Sequence, residues 1–125
     1  MLEELEVCQR RQYPAACVWK VQAEDQRAPR AEVVLANLVA EYMGLERLVR
    51  LVKESQARYV SVLIWDCDDM QALQAVTGRR EEPRRVTAQE VITWFQENWL
   101  DLRYMDECME ICGGAVTRLD FKAMR

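Results

Sequence analysis

Three aspartates within four positions form the one cluster of this sequence whose residue types and spacing could do chemistry. Asp66, Asp68 and Asp69 come directly after the apolar, β-branched run at residues 59–65. In open α/β sheets, ligands gather beyond the carboxyl ends of the strands. Clustered carboxylates at such a place can hold Mg²⁺ against a phosphate group. One alternative function is therefore a magnesium-dependent phosphotransfer or nuclease-like enzyme that uses these three aspartates.

The same motif resembles a known family over about eight residues. An apolar strand followed by Asp66-x-Asp68 is similar to the first motif of haloacid-dehalogenase-type phosphotransferases, although Met70 stands where that motif has Thr or Val. A simpler interpretation needs no ligand. Asp68 or Asp69 caps a short helix that begins at Met70, since the positive end of a helix favours carboxylates. We favour the capping interpretation, and we predict no metal ligand and no cofactor.

The composition excludes most other catalytic chemistries. The 125 residues include no histidine, so neither a Ser-His-Asp triad nor a Cys-His pair nor a histidine zinc site can be built within them. The five cysteines contain no C-x-x-C pair and are interpreted as reduced, mostly buried thiols. Cys108 and Cys112, four positions apart, are read in the same way. On these grounds the chain is not expected to be an enzyme.

A charged connector at residues 78–85 supplies a second candidate site. It carries Arg79, Arg80, Arg84 and Arg85 around two glutamates and a proline. Such a cluster could grip the phosphates of a nucleic acid, or it could dock a protein, because arginine makes bidentate and stacked contacts in interfaces. The formal net charge of −4 argues against nucleic-acid affinity. A nucleic-acid-binding regulator is therefore the third alternative.

Aromatic side chains crowd the segment at residues 87–112, which is expected to be one long helix. Trp94 and Trp99 would point about 140° apart on such a helix, so that one core could not easily take both. Large exposed apolar patches are uncommon in monomers. We therefore predict that Trp94, Trp99 and Tyr104, together with the four arginines, bind a protein partner.

The hydrophobic periodicity predicts the elements that position these residues. Helices are expected at residues 31–55, 70–76 and 87–112, the second closed by Gly78 and the third opened by the capping box Thr87-x-x-Glu90 and stopped by Gly113-Gly114. Strands are expected at residues 16–23, 58–65 and 117–123, the last with the alternation of an edge strand. Residues 1–12 fit either a helix or a strand. The predicted fold class is α+β, with two long helices and one short helix on a sheet of about three strands.

These expectations combine into one hypothesis about the whole chain. Its length suits a single domain spanning residues 1–125. No apolar run is long enough to span a membrane, and the acidic start is unlike a signal peptide, which predicts a cytoplasmic or host-intracellular protein. The predicted function is a non-enzymatic protein-binding module, such as an adaptor, inhibitor or accessory protein. A homodimer is expected, because apolar residues would surround much of helix 31–55.

Overall fold

A computed structural model describes residues 28–111 and 114–124 of the chain. Within these ranges the chain forms four strands and four helices. In chain order they are β1 (Val33–Asn37), α1 (Ala40–Met43), α2 (Leu45–Ser55), β2 (Tyr59–Asp66), α3 (Met70–Thr77), α4 (Ala88–Gln96), β3 (Leu100–Ile111) and β4 (Gly114–Ala123). The predicted strand at 16–23 and the ambiguous residues 1–12 lie outside the described residues.

The described strands form one mixed sheet in the order β1-β2-β4-β3. β1 is parallel to β2, and β4 is antiparallel to both β2 and β3. The parallel pair is joined through helices α1 and α2, which is the connection of an α/β fold. The prediction of an α+β fold on about three strands is therefore wrong. β4 contains the predicted strand 117–123, but it lies inside the sheet and not at an edge.

The predicted helix at 31–55 is in fact a strand followed by two helices. Residues 33–37 pair with β2, and the ladder ends where the Leu38 N–H donates to the Leu63 carbonyl at 2.8 Å. Leu38 has a φ of +54° and Gly44 a φ of +86°, so the backbone turns at both residues. A short run of apolar residues fits a buried strand as well as a helix. The pairing with β2, which is distant in sequence, decides between them.

The predicted helix at 87–112 is also wrong beyond its first third. Thr87 caps α4 as the capping box predicted, since its Oγ1 accepts from the Glu90 N–H at 3.2 Å. The helix ends at Gln96, and Trp99, with a φ of +63°, turns the chain into β3. Gly114 begins β4 and does not stop a helix, whereas Gly113 lies outside the described residues. Ile111 pairs with Gly114 across the connection of a hairpin, and pairing with β4 makes residues 100–111 a strand.

The predictions for the middle of the chain are confirmed. The strand expected at 58–65 is β2, and the helix expected at 70–76 is α3. Gly78 ends α3 in the left-handed conformation, with a φ of +68°. These elements depend on local signals, namely a nearly continuous run of apolar and β-branched residues, a capping acid and a terminal glycine. Local chemistry was sufficient to predict them.

The core lies on both faces of the sheet. Val60, Val62 and Ile64 alternate along β2 and belong to a buried cluster with residues of α2 and α4. In that cluster the rings of Phe95 and Phe121 have centroids 4.5 Å apart. The next residue, Trp65, lies in a second buried cluster with Cys67 and with Leu73 of α3. Helices therefore cover both faces at the end of β2. No helix of the described residues is long and apolar enough to cross a membrane.

Candidate functional site

The carboxyl ends of β1 and β2 lie next to each other, because the two strands are parallel. The strands end at Asn37 and Asp66. We call these two residues, the turn at residues 67–69 and the neighbouring Glu41 and Arg85 the carboxyl edge. In α/β sheets this is the side where ligands bind. The aspartates that the sequence singled out therefore do lie at the edge that could carry a function.

Each of the three aspartates, however, is already bound by a group of the protein. The Arg85 guanidinium donates from Nε to Asp66 Oδ1 at 2.8 Å and from Nη1 to Asp68 Oδ1. The hydrogen bond to Asp66, followed by the charges of Asp66 and Asp68, raises the pKa of Arg85 above its ordinary value. Asp69 caps α3, because its Oδ1 accepts from the Ala72 N–H at 3.2 Å. In the part of the chain that the structure describes, no three acidic or thiol side chains are arranged to hold a metal ion.

The capping role of Asp69 gives a first testable prediction. Asp69→Ala should lower the free energy of unfolding by about 1 kcal/mol, because the Ala72 N–H loses its acceptor, whereas Asp69→Asn should be nearly neutral. Asp68→Ala is the matched control. The side chain of Asp68 is 87% exposed, and an exposed ion pair contributes less than about 1 kcal/mol. Urea denaturation of the three variants measures these differences. An equal loss in Asp69→Asn and Asp69→Ala would contradict the capping role.

The four arginines of the connector do not form a common set. The Arg79 guanidinium lies over the Tyr42 ring, 5.0 Å from its centroid, and Arg85 is bound to the aspartates. Arg80 and Arg84 are exposed. The connector backbone is held as well, since Gln74 Nε2 donates to the Arg80 carbonyl at 2.9 Å. Arg79 thus holds the connector against α1, and Arg85 holds it against the carboxyl edge. Two of the four arginines predicted to bind a partner are therefore engaged within the chain.

Glu41 is a residue of the carboxyl edge that the sequence analysis missed. It lies in α1 and is only 1% exposed. β1 ends at Asn37, so the Trp65 N–H extends past the last residue of that strand, and Glu41 Oε2 accepts it at 2.8 Å. The Glu41 carbonyl accepts from the Arg84 N–H at 2.7 Å. Glu41 therefore joins the end of β2 to the connector. A glutamate within an apparently amphipathic helix gives no sequence signal of such a role.

Only one of the two carboxyl oxygens of Glu41 has a hydrogen-bond partner. Oε1 is buried and has no hydrogen-bond partner. Burial raises the pKa of Glu41, against the lowering effect of the hydrogen bonds from the backbone N–H groups of Trp65 and of Glu41 itself. Desolvation disfavours the charged form of a carboxyl group. Glu41 is thus the titratable group of the carboxyl edge whose charge is most costly to the folded state.

The three aromatic residues predicted to bind a partner lie on different elements. Trp94 is in α4, Trp99 is in the turn after it and Tyr104 is in β3, with exposed fractions of 39%, 69% and 53%. The prediction that all three residues lie on one long helix is therefore wrong. Trp99 borders a shallow groove beside Leu100 and Met124, at the opposite end of β2 from the carboxyl edge. Their binding of a partner stays a prediction.

Comparison with known proteins relates the sheet to a class of enzymes. No family model matches the sequence, and no curated protein matches it. Among solved structures, magnesium protoporphyrin IX methyltransferase (ChlM) from Synechocystis, with bound SAH, is 10% identical and has a TM-score of 0.61, with 99% of this chain and 59% of that chain covered. N-methyltransferase NodS from Bradyrhizobium japonicum is 14% identical, with a TM-score of 0.55 and coverages of 94% and 66%. The cyclase SpnF is 8% identical, with a TM-score of 0.55 and coverages of 98% and 62%.

The similarity to these solved structures shows the fold of the chain, and it corrects the prediction of a non-enzymatic function. The chain spans 59% of the length of the ChlM structure and superposes on it over nearly all of its own length. Identities of 14% or less carry the fold and not the reaction. ChlM, NodS and SpnF, on which this chain superposes, are each named as an enzyme. The prediction of a non-enzymatic adaptor, inhibitor or accessory protein is therefore contradicted, and so is the prediction that the chain is not an enzyme.

Proposed function

We propose that this chain belongs to an enzyme of the S-adenosylmethionine (SAM)-dependent methyltransferase type and that its reactive side is the carboxyl edge. The observation that carries the proposal is the mixed sheet, with its parallel pair β1–β2 and its antiparallel pair β4–β3. It superposes on ChlM, whose structures hold SAH or SAM, and on another protein named as a SAM-dependent methyltransferase, from Methanosarcina mazei. We also propose that this enzyme is located in the cytoplasm.

The position of the carboxyl edge supports the choice of reactive side. Ligands of open α/β sheets bind beyond the carboxyl ends of parallel strands, and β1 and β2 are the parallel pair of the described residues. The side chain of Asn37 is exposed at the end of β1. An amide at that position can donate to and accept from a polar ligand.

The described residues of the carboxyl edge supply the amide of Asn37 but not the whole set of groups that holds the adenosyl group of SAM. A nucleoside in such a fold is held by a glycine-rich turn after a strand and by an acid that binds the ribose hydroxyls. The four glycines of the sequence are Gly44, Gly78, Gly113 and Gly114, and neither β1 nor β2 is followed directly by one of them. The acids of the edge are bound to Trp65, to Arg85 and to the first turn of α3. We therefore derive no reaction step through the cofactor.

Binding of SAH to the full chain tests the proposal. Titration calorimetry should show saturable binding, and Asn37→Ala should weaken it up to about tenfold, the value of one net hydrogen bond. Gln96→Ala is the matched control, because it removes an exposed amide at the end of α4, far from the carboxyl edge. The absence of saturable binding would contradict a SAM-dependent enzyme. Binding that weakens in Gln96→Ala alone would place the site elsewhere.

A further inference from the structure

The connector at residues 78–85 passes from one face of the sheet to the other. Leu73 of α3, the helix before the connector, lies in a buried cluster with Trp65. Phe95 of α4, the helix after it, lies in the other buried cluster with Ile64. Ile64 and Trp65 are neighbours in β2, and successive residues of a strand point to opposite faces. The two helices therefore lie on opposite faces, and the connector has to cross the sheet at one of its ends.

The connector crosses at the carboxyl edge, between the ends of β1 and β2. The Arg84 N–H donates at 2.7 Å to the carbonyl of Glu41, which lies in α1, the helix that follows β1. The next residue, Arg85, donates to Asp66 at the end of β2 and to Asp68 in the turn after it. Two consecutive residues of the connector thus bind the β1 side and the β2 side of the gap. The connector therefore spans the space beyond the carboxyl ends of the parallel strands.

The middle of the connector is held less firmly than its two ends. At one end the Glu81 carbonyl accepts from Gln74 Nε2 at 3.2 Å, and at the other end Val86 is buried in the core. Residues 82–85 between them are held by the Arg84 hydrogen bond and by the ion pairs of Arg85, whose side chain is 51% exposed. An exposed ion pair contributes little to stability, and dissolved salt screens it. The middle of the connector can therefore open while the sheet stays folded.

We propose that residues 82–85 form a strap over the gap between β1 and β2, and that the Arg85 clasp, which consists of Arg85 with Asp66 and Asp68, sets how often the strap opens. Ligands of α/β sheets bind beyond the carboxyl ends of the strands. Asn37 is exposed at the end of β1, but a ligand that extends from Asn37 across the end of β2 needs the space that the strap occupies. A closed strap opposes such a ligand and an open strap admits it. This control of binding rests on the proposed function, whereas the opening of the strap does not.

Hydrogen exchange followed by NMR measures the opening of the strap at the Arg84 amide. Arg85→Gln removes the cation of the clasp, so the protection factor of the Arg84 amide should fall up to about fivefold, the equivalent of an exposed ion pair of about 1 kcal/mol. Arg103→Gln is the matched control. Arg103 is paired with Asp101 at 3.0 Å and its side chain is 59% exposed, but it lies in β3, so its replacement should leave the Arg84 protection factor unchanged.

Salt provides an independent measurement of the clasp. Raising the ionic strength from about 0.01 M to about 1 M shortens the screening length about tenfold. The Arg84 protection factor should therefore fall in the wild type and should not respond in Arg85→Gln, where the charge that salt screens is already absent.

Three outcomes of the exchange measurements would overturn the proposal. An unchanged Arg84 protection factor in Arg85→Gln would mean that the clasp does not control the strap. An equal fall in Arg103→Gln, or a fall in Arg85→Gln that extends to the amides of β2, would report a loss of global stability and not a local opening.

Titration calorimetry with SAH tests whether the strap opposes a ligand. If the open fraction rises about fivefold, the dissociation constant of SAH should fall by the same factor in Arg85→Gln and should stay unchanged in Arg103→Gln. An unchanged dissociation constant in an Arg85→Gln protein whose Arg84 amide exchanges faster would overturn the control of binding, because the strap would open without opposing the ligand. The absence of saturable binding in the wild type and in both variants would contradict the proposed enzyme, and hydrogen exchange would still decide whether the clasp controls the strap.

Discussion

Replacement of Glu41 by alanine is expected to lower the free energy of unfolding by about 2 to 4 kcal/mol. The variant leaves the buried Trp65 N–H without the acceptor that now lies at 2.8 Å, and a buried unsatisfied donor costs about 1 to 3 kcal/mol. The loss of a side chain that is 1% exposed adds the cost of a cavity. Urea denaturation, followed by circular dichroism, measures the difference. The end of β2 and the connector should be the first regions to exchange amide hydrogens.

The variant Glu41→Gln separates the hydrogen bond from the charge. It keeps an acceptor for the Trp65 N–H and removes the ionisation. Burial raises the pKa of Glu41 above its ordinary value of 4.5, so the folded state binds more protons than the unfolded state between that value and the raised one. The contribution of Glu41 to stability is therefore fully present below 4.5 and is lost as the pH rises through the raised pKa.

Unfolding measured over a pH series should show this loss in the wild type and not in Glu41→Gln. At neutral pH the glutamine variant should be at least as stable as the wild type, because no charge is buried. If Glu41→Gln and Glu41→Ala were equally destabilised, the hydrogen bond to Trp65 would not be the source of the effect. An identical pH dependence in the wild type and Glu41→Gln would show that Glu41 does not titrate in this range.

Replacement of Gly114 by alanine should be the other severe change, with a cost of about 3 kcal/mol. β4 begins at Gly114, which is buried against the end of β2. A Cβ at this position would lie 2.1 Å from the Cβ of Cys67 and 2.6 Å from the carbonyl oxygen of Asp66. Neither contact is with the flexible end of a side chain, so the strands themselves would have to move apart. The turn that carries Asp68 and Asp69 would move with them.

Gly44→Ala provides the matched comparison. A Cβ at Gly44 would meet nothing within 4 Å, but the φ of +86° is strained for any L side chain. That strain costs about 1 kcal/mol. Urea denaturation should therefore give Gly114→Ala a much lower free energy of unfolding than Gly44→Ala, and both variants a lower value than the wild type. A Gly114→Ala protein that is more stable than Gly44→Ala would mean that β4 does not approach β2 as closely as the structure shows.

The sequence by itself determined the elements whose signals are local. β2 is a nearly continuous run of apolar and β-branched residues, and α3 has an acid at its N-cap and a glycine at its end, so neighbouring residues were sufficient to define both. The position of the aspartates after β2 followed in the same way. The start of α4 was predictable too, because a threonine and a glutamate three residues later satisfy the first N–H groups of a helix.

Only the tertiary structure decided the rest, because the deciding contacts join residues far apart in sequence. Residues 33–37 and 100–111 have apolar spacings that a helix also satisfies, and they are strands because β2 and β4 supply their hydrogen bonds. Arg85 binds Asp66 and Asp68 across the connector, so two of the aspartates are engaged by a residue that is distant in sequence. β1 ends at Asn37, one turn before Glu41. Glu41 can therefore accept the Trp65 N–H, which lies beyond the last residue of β1. Such partners are brought together by the order of strands in the sheet, on which local periodicity carries no information.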